Sequence, residues 1–281
     1  MLKIQKFSYH NHTNFSDGKC SLEDMVAQAK AIGFCEMGIS DHLIVHKNIK
    51  QSLSWPMMCA KSDNHIYQRD FKKNLSEYQK HCEEIRKLSK KENFKLYVGF
   101  EVDFFTYDGW LEEFKEFLSQ IDYDYLVSGN HFLFDERGET IFNIHKNIAD
   151  FISTEEIRKL VAQHFINIKK SVESGLFAFL AHFDYVRKMG GQYCEPHDYK
   201  DEKAAVLDSL EKNSVGMEIS TKGLRKINDF YPSAEILKEA SKRNILMLIS
   251  DDAHKREELG ADFDKAEQEL LKYGITKRLK F

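Results

Sequence analysis

Seven short apolar runs, each followed by a stretch with helical periodicity, constrain this chain more than any other feature. The runs span residues 4–9, 35–40, 95–102, 123–128, 176–181, 215–220 and 245–250. Each has the length and apolar continuity of a strand buried on both faces. The segments 21–34, 68–91, 110–120, 154–174, 201–213, 233–243 and 257–272 read as helices. On the first of these, Leu22, Met25, Val26, Ala29 and Ile32 fall on one face, behind a capping-box variant formed by Ser21 and Asp24. The fourth starts at a Thr154-Glu-Glu cap. Strands alternating with helices predict parallel βα units and an α/β fold. Seven strands predict a barrel closed by seven strands, related to the eight-stranded barrel; an open doubly wound sheet is the competing arrangement. With three prolines, no repeat and no low-complexity linker, residues 1–281 read as a single domain.

Composition narrows the partners. The net charge is −4, and lysines and arginines are interleaved with acids, as in EEIRKLSKKE. That is the pattern of a solvated helix face, not of the basic stripe that phosphate-backbone contact requires, so no nucleic acid is expected. No apolar run reaches the length of a membrane span, and MLKIQKFSYH turns polar too early for a secretory signal. Five cysteines without C-x-x-C spacing argue against a disulfide framework and against a thiolate zinc site. A cytoplasmic location is the expectation. A homo-oligomer stays open.

Metal-capable residues collect where the apolar runs end. His10 and His12 follow the first run, Asp41 and His42 the second, Glu101 the third, His131 the fourth, His182 the fifth, and Asp252 and His254 the seventh. In α/β barrels the C-terminal strand ends build the active site. A single such histidine is ordinarily a hydrogen-bonded structural residue, but six strand ends carrying His, Asp or Glu form a cluster. Alternation of side chains places His10 with His12 and Asp252 with His254, and turns Asp251 away. By the same rule His42 is the expected ligand and Asp41 a partner that orients an imidazole from behind. Imidazoles with carboxylates suit Zn, Mn or Fe better than Mg or Ca. The donors exceed the needs of one ion, so two or three divalent ions are expected, bridged by Glu101 or Asp252. Metals about 3.5–4 Å apart are the arrangement that hydrolyses phosphate esters.

The series HNH, SDH, GFEVD, GNHF, AHFD and SDDAH resembles, in this order, the motif set of the PHP (polymerase and histidinol phosphatase) superfamily. The likeness covers essentially the whole chain. It implies a distorted seven-stranded (β/α)7 TIM-like barrel with a trinuclear metal centre. It places His10, His12, Glu101 and Asp252 on one metal, Glu101, His131 and His182 on a second, and Asp17, His42 and His254 on a third. Asp17 also sits in an Asp-Gly turn, its alternative role. AHFDYVRKMG and MEISTKGLRK resemble the histidinol-phosphatase branch, with Ser220 standing where many members have Asn. In that branch arginines from these segments grip the phosphate, which maps onto Arg187 and Arg225, with Lys222 and Lys226 as weaker neighbours. The implied reaction is hydrolysis of a small phosphomonoester, L-histidinol phosphate, by a metal-bridging hydroxide. Asp17, His42 and His254 are the candidates on the leaving-group side. The rival readings are a phosphodiesterase, nuclease or phosphotyrosine phosphatase of the same superfamily, an amidohydrolase, and a non-catalytic metal-binding protein. Residues 43–66 read as an irregular insertion in which Trp55, Met57 and Met58 could form a lid. His46, His65, His81, His145, His164 and His197 are placed outside the site.

Overall fold

Neighbouring strands pair in one direction almost all the way round this molecule. The computed structural model describes residues 4–46, 49, 52, 71–138 and 141–281. Its strands are β1 (Phe7–Ser8), β2 (Glu36–Ile39), β3 (His42–Leu43), β4 (Lys95–Val102), β5 (Tyr125–Ser128), β6 (Phe132–Phe134), β7 (Ile141–Asn143), β8 (Phe179–Leu180), β9 (Gly216–Ser220) and β10 (Met247–Ser250). The helices are α1 (Leu22–Ala31), α2 (Phe71–Glu92), α3 (Trp110–Leu118), α4 (Thr154–Glu173), α5 (Lys200–Asn213), α6 (Lys222–Ile227), α7 (Ala234–Ala240) and α8 (Phe263–Lys272). Strands β1, β2, β4, β5, β8, β9 and β10 pair in parallel in that order, the nearly closed barrel of seven strands that the apolar runs predict. The short β3 pairs with the C-terminal end of β4, setting His42 opposite Glu101.

A side chain closes the seam between β1 and β10. Gln5 Nε2 donates to Ile249 O (2.7 Å) and Gln5 Oε1 accepts from Ile249 N (3.1 Å). These are the bonds a neighbouring peptide group would make. Above the seam Asn11 bridges to Ala253, and His12 N donates to Ala253 O (2.9 Å). Inside the barrel Tyr9, Tyr125, Val127, Phe179, Ala181 and Leu248 form a small core of their own. The Phe281 ring packs on it, with centroids 4.6 Å from Tyr9 and 4.8 Å from Tyr125. The larger core lies between the strands and the outer helices.

Three local expectations are corrected. The cap of α4 is Ser153, whose hydroxyl accepts from Glu156 N while Glu156 answers the Ser153 backbone in a full capping box, so Thr154 is already helical. The segment predicted as helix from 257 begins as a helix only at Phe263. Arg256–Glu258 is a single tight turn, and left-handed Gly260 and Asp262 (φ 72° and 60°) separate it from α8. The antiparallel hairpin β6–β7, after the fourth run, has no counterpart among the predicted elements. Residues Trp55, Met57, Met58 and His65 lie outside the described residues. Among the described residues no helix is long and apolar enough to cross a membrane.

Candidate metal centre

The centre is built around one carboxylate. Glu101, at the end of β4 and fully buried, points Oε2 at His10 Nε2 (3.2 Å), His12 Nε2 (3.3 Å) and His42 Nδ1 (3.1 Å). Its Oε1 lies 2.9 Å from His182 Nε2 and 3.3 Å from His131 Nε2. Asp252 Oδ1 lies 3.2 Å from His12 Nε2, 3.4 Å from His254 Nδ1 and 3.7 Å from His10 Nε2. Asp17 Oδ1 faces His254 Nε2 (3.0 Å), His42 Nε2 (3.4 Å) and His12 Nδ1 (4.0 Å). All nine residues read as ligands from the strand ends and motifs therefore meet at one end of the barrel. Their donor atoms fall into four overlapping groups: His12, Asp17, His42 and His254; His10, His182 and Asp252; His10, His12 and Glu101; and His42, Glu101 and His131.

The residues fit divalent ions. His10 Nε2, both His12 ring nitrogens, Asp17 Oδ1, Glu101 Oε2 and Asp252 Oδ1 are buried with no hydrogen-bond partner among the described residues, a costly state for polar atoms. Two ligand atoms each about 2.1 Å from one zinc ion lie about 3.4 Å apart, close to the separations seen here. Burial would raise the Glu101 carboxyl, but His10, His131 and His42 hold it well below the usual carboxylate range. Burial opposes ionisation of Asp252 and Asp17 as well. Lys222 and His10 outweigh it at Asp252, and His254 and His42 outweigh it at Asp17. The site thus presents anionic oxygens beside imidazoles, a donor set for borderline cations.

Local backbone geometry aims these groups. Asn130, His182 and Asp252 have positive φ (55°, 22° and 46°), so three strand ends turn sharply at a ligand or, for Asn130, one residue before His131. Asp252 shares the site with His254 through that turn and not through extended strand alternation. Asp251 does face away, toward Ser8 Oγ (2.9 Å) and Gly260 N (2.5 Å), and burial pushes its carboxyl up to about 6. A Cβ at Gly129 would stand 2.8 Å from Glu101 Oε1 and from the His131 ring, so this position admits no side chain without moving both.

Some sequence-predicted roles are altered. Asp41 does orient an imidazole, but that of His81 on α2 (3.0 Å), a residue read as lying outside the site. It also accepts from Thr13 N and Oγ1 (both 2.7 Å) and Ser16 Oγ (2.5 Å), and so fixes the turn that carries Asp17. Arg187 is engaged by Asp229 (2.5 Å), Phe230 O (3.0 Å) and Asp184 (3.3 Å). Arg225 donates to Asp251 O (2.6 Å) and lies 4.0 Å from Glu258. Sequence reasoning missed Glu218, whose Oε2 lies 2.8 Å from His10 Nδ1 and whose Oε1 accepts from His182 N (2.8 Å). It also missed Asp103, bonded to the His131 backbone and 3.1 Å from its Nδ1. The available signals were an acid inside the apolar run MEIS and an acid two residues beyond Glu101, on the same strand face. Lys222, read as a weak neighbour, stands in the cluster with Nζ 2.7 Å from Asp252 Oδ2.

The sequence pattern of the PHP domain family matches residues 8–222. A Deinococcus radiodurans protein named "probable histidinol-phosphatase" is 24% identical over 211 residues, covering 74% of this chain and 77% of the relative. A Thermotoga maritima protein of the same name is 24% identical over 270 residues, covering 95% of this chain and 91% of the relative. The solved histidinol phosphate phosphatase of Lactococcus lactis, described as complexed with Zn, L-histidinol and phosphate, superimposes with a TM-score of 0.73 at 19% identity, covering 99% of this chain and 97% of that one.

Proposed function

The chain belongs to the PHP domain family, and from that premise we propose that it is a metal-dependent phosphomonoesterase hydrolysing L-histidinol phosphate to L-histidinol and phosphate. The observation that carries the reading is the meeting of six histidines, Asp17 and Asp252 around Glu101. The names of the relatives and the contents of the Lactococcus lactis complex support the choice of monoester. Among the rival reactions, the acidic net charge gives a nuclease no electrostatic support.

Two or three divalent ions, Zn, Mn or Fe, would be held by His10, His12, Asp17, His42, Glu101, His131, His182, Asp252 and His254. When bound, such ions acidify water to a nucleophile and neutralise phosphoryl charge. The chain's own residues position the reactants. Arg187 and Arg225 bind the phosphoryl oxygens, a task that suits a guanidinium fork. Both stand beside the cluster, through Asp184 two residues past His182 and through Asp251 next to Asp252. Asp17, His42 and His254 line the leaving-group side, where the departing alkoxide needs a metal or a proton donor.

The test is phosphate release by the metal-loaded protein from L-histidinol phosphate, an aryl phosphate, a phosphodiester and an amide. Preferential release from histidinol phosphate is expected. Equal rates on both monoesters would remove the substrate assignment alone, and inactivity on both would remove the phosphatase reading.

A further inference from the structure

Of the seven barrel strands, β9 is the one whose end supplies none of the nine expected ligands. Two residues past that end stands Lys222. The side chain is 15% exposed, and its ammonium pairs with Asp252 Oδ2 at 2.7 Å while Asp252 Oδ1 faces the imidazoles. The position is fixed by the backbone. A Cβ on Gly223 would meet Asp229 O at 2.3 Å and Tyr231 N at 2.8 Å, so the chain after Lys222 is pressed against the 229–231 loop.

The two arginines differ from it. The Arg187 guanidinium is held by Asp229, Asp184 and Phe230 O, and that of Arg225 by Asp251 O. Among the described residues Lys222 is the cation in direct contact with a residue of the cluster, and an ammonium has three N–H bonds to give. We propose that Lys222 contacts the substrate directly, donating to a non-bridging phosphoryl oxygen while its pairing with Asp252 Oδ2 leaves Oδ1 turned to the metals. The proposal rests on the phosphomonoesterase reading and adds a substrate contact to it. An ammonium held in this way offers a charge-assisted N–H donor to a phosphate dianion.

The experiment measures inorganic phosphate binding by calorimetry on zinc-loaded wild type, Lys222→Met, Lys222→Gln and Lys222→Arg proteins, with metal content determined on the same samples. Loss of a charged hydrogen bond predicts phosphate affinity about ten- to a hundredfold weaker in the Met and Gln variants, metal content equal to wild type, and partial recovery in the Arg variant. KM for the monoester should rise by a similar factor. Unchanged phosphate affinity in either neutral variant that folds would overturn the assignment. So would loss of metal in both, which would make Lys222 a support for Asp252 alone. A wild-type protein that neither binds phosphate nor hydrolyses a monoester would mark the failure of the phosphatase reading, a result distinct from either of these.

Discussion

Histidine has two ring nitrogens, and at His10 the protein uses them differently. Glu218 Oε2 takes up Nδ1 at 2.8 Å and leaves Nε2 for the centre, 3.2 Å from Glu101. A carboxylate behind a ligand imidazole fixes its tautomer and raises its basicity. Glu218 also receives His182 N, so a single buried acid steadies residues from two strand ends. Glu218→Gln should therefore weaken metal affinity by about 10- to 100-fold, read by competition with a chromophoric chelator. Unaltered affinity would show that the imidazole is held without Glu218. The ligands themselves were legible in the sequence because each is a metal-capable residue at the end of an apolar run. Glu218 was not, because its role depends on which strands face one another, and β9 meets β1 only across the barrel interior; Lys222 was legible only as a weak neighbour of the two arginines.

Among the elements, the strand lengths and the seam behave differently. Strand β4 spans Lys95–Val102, matching its apolar run residue for residue, whereas β1 is reduced to Phe7–Ser8 within a run of six. The remainder of that run includes Gln5, whose side chain bonds Ile249 in place of a strand ladder. No periodicity argument reveals this, since a glutamine in an apolar run reads as an interruption. Gln5→Ala would leave the buried N–H and C=O of Ile249 without those bonds, at a cost of about 2–4 kcal/mol. Chemical denaturation checks this, and a loss below about 1 kcal/mol would mean that backbone contacts close the seam.

Helix α4 carries a separate pH dependence. Burial holds His164 down at about 4, against an ordinary 6.5, with Nδ1 3.3 Å from Phe132 O. Above pH 6.5 the ring is neutral in both folded and unfolded chains and costs nothing. As the pH falls through 6.5 the unfolded chain takes up a proton that the folded one refuses, so stability is lost until about pH 4. At about pH 5 the loss is about 2 kcal/mol. His164→Asn, which keeps a donor near Phe132 O, should show a shallower decline in stability between pH 6.5 and about 4. Parallel curves for the two proteins would exclude the histidine as a cause.

For the whole molecule, the metals and the barrel depend on one another. Donors from residue 10 to residue 254 meet at one end, and the site crowds buried carboxylates and imidazoles, several of whose polar atoms have no hydrogen-bond partner among the described residues. An ion that binds the folded chain stabilises it by mass action, by about 2.7 kcal/mol at a hundredfold excess over Kd for each site. Chelation should lower the melting temperature and added zinc should restore it, as followed by circular dichroism. A melting curve indifferent to chelator would argue that the barrel stands without its ions. The seven-stranded architecture itself was legible because the apolar runs and helical patterns repeat seven times. The hairpin β6–β7 escaped because its strands are three residues each, too short for a period to register.

The seam also orders events in time. His10 and His12 leave the ribosome long before their neighbours across the seam, Asp252 and Ala253. Until those residues are released, β1 can pair with β2 on one side but has no partner across the seam, and the centre lacks Asp252 and His254. A nascent chain can therefore assemble the middle of its barrel early and hold part of the donor set. Its full donor set exists only once Asp252 and His254 have followed, so complete metal loading and closure of the seam become a single step that waits on β10.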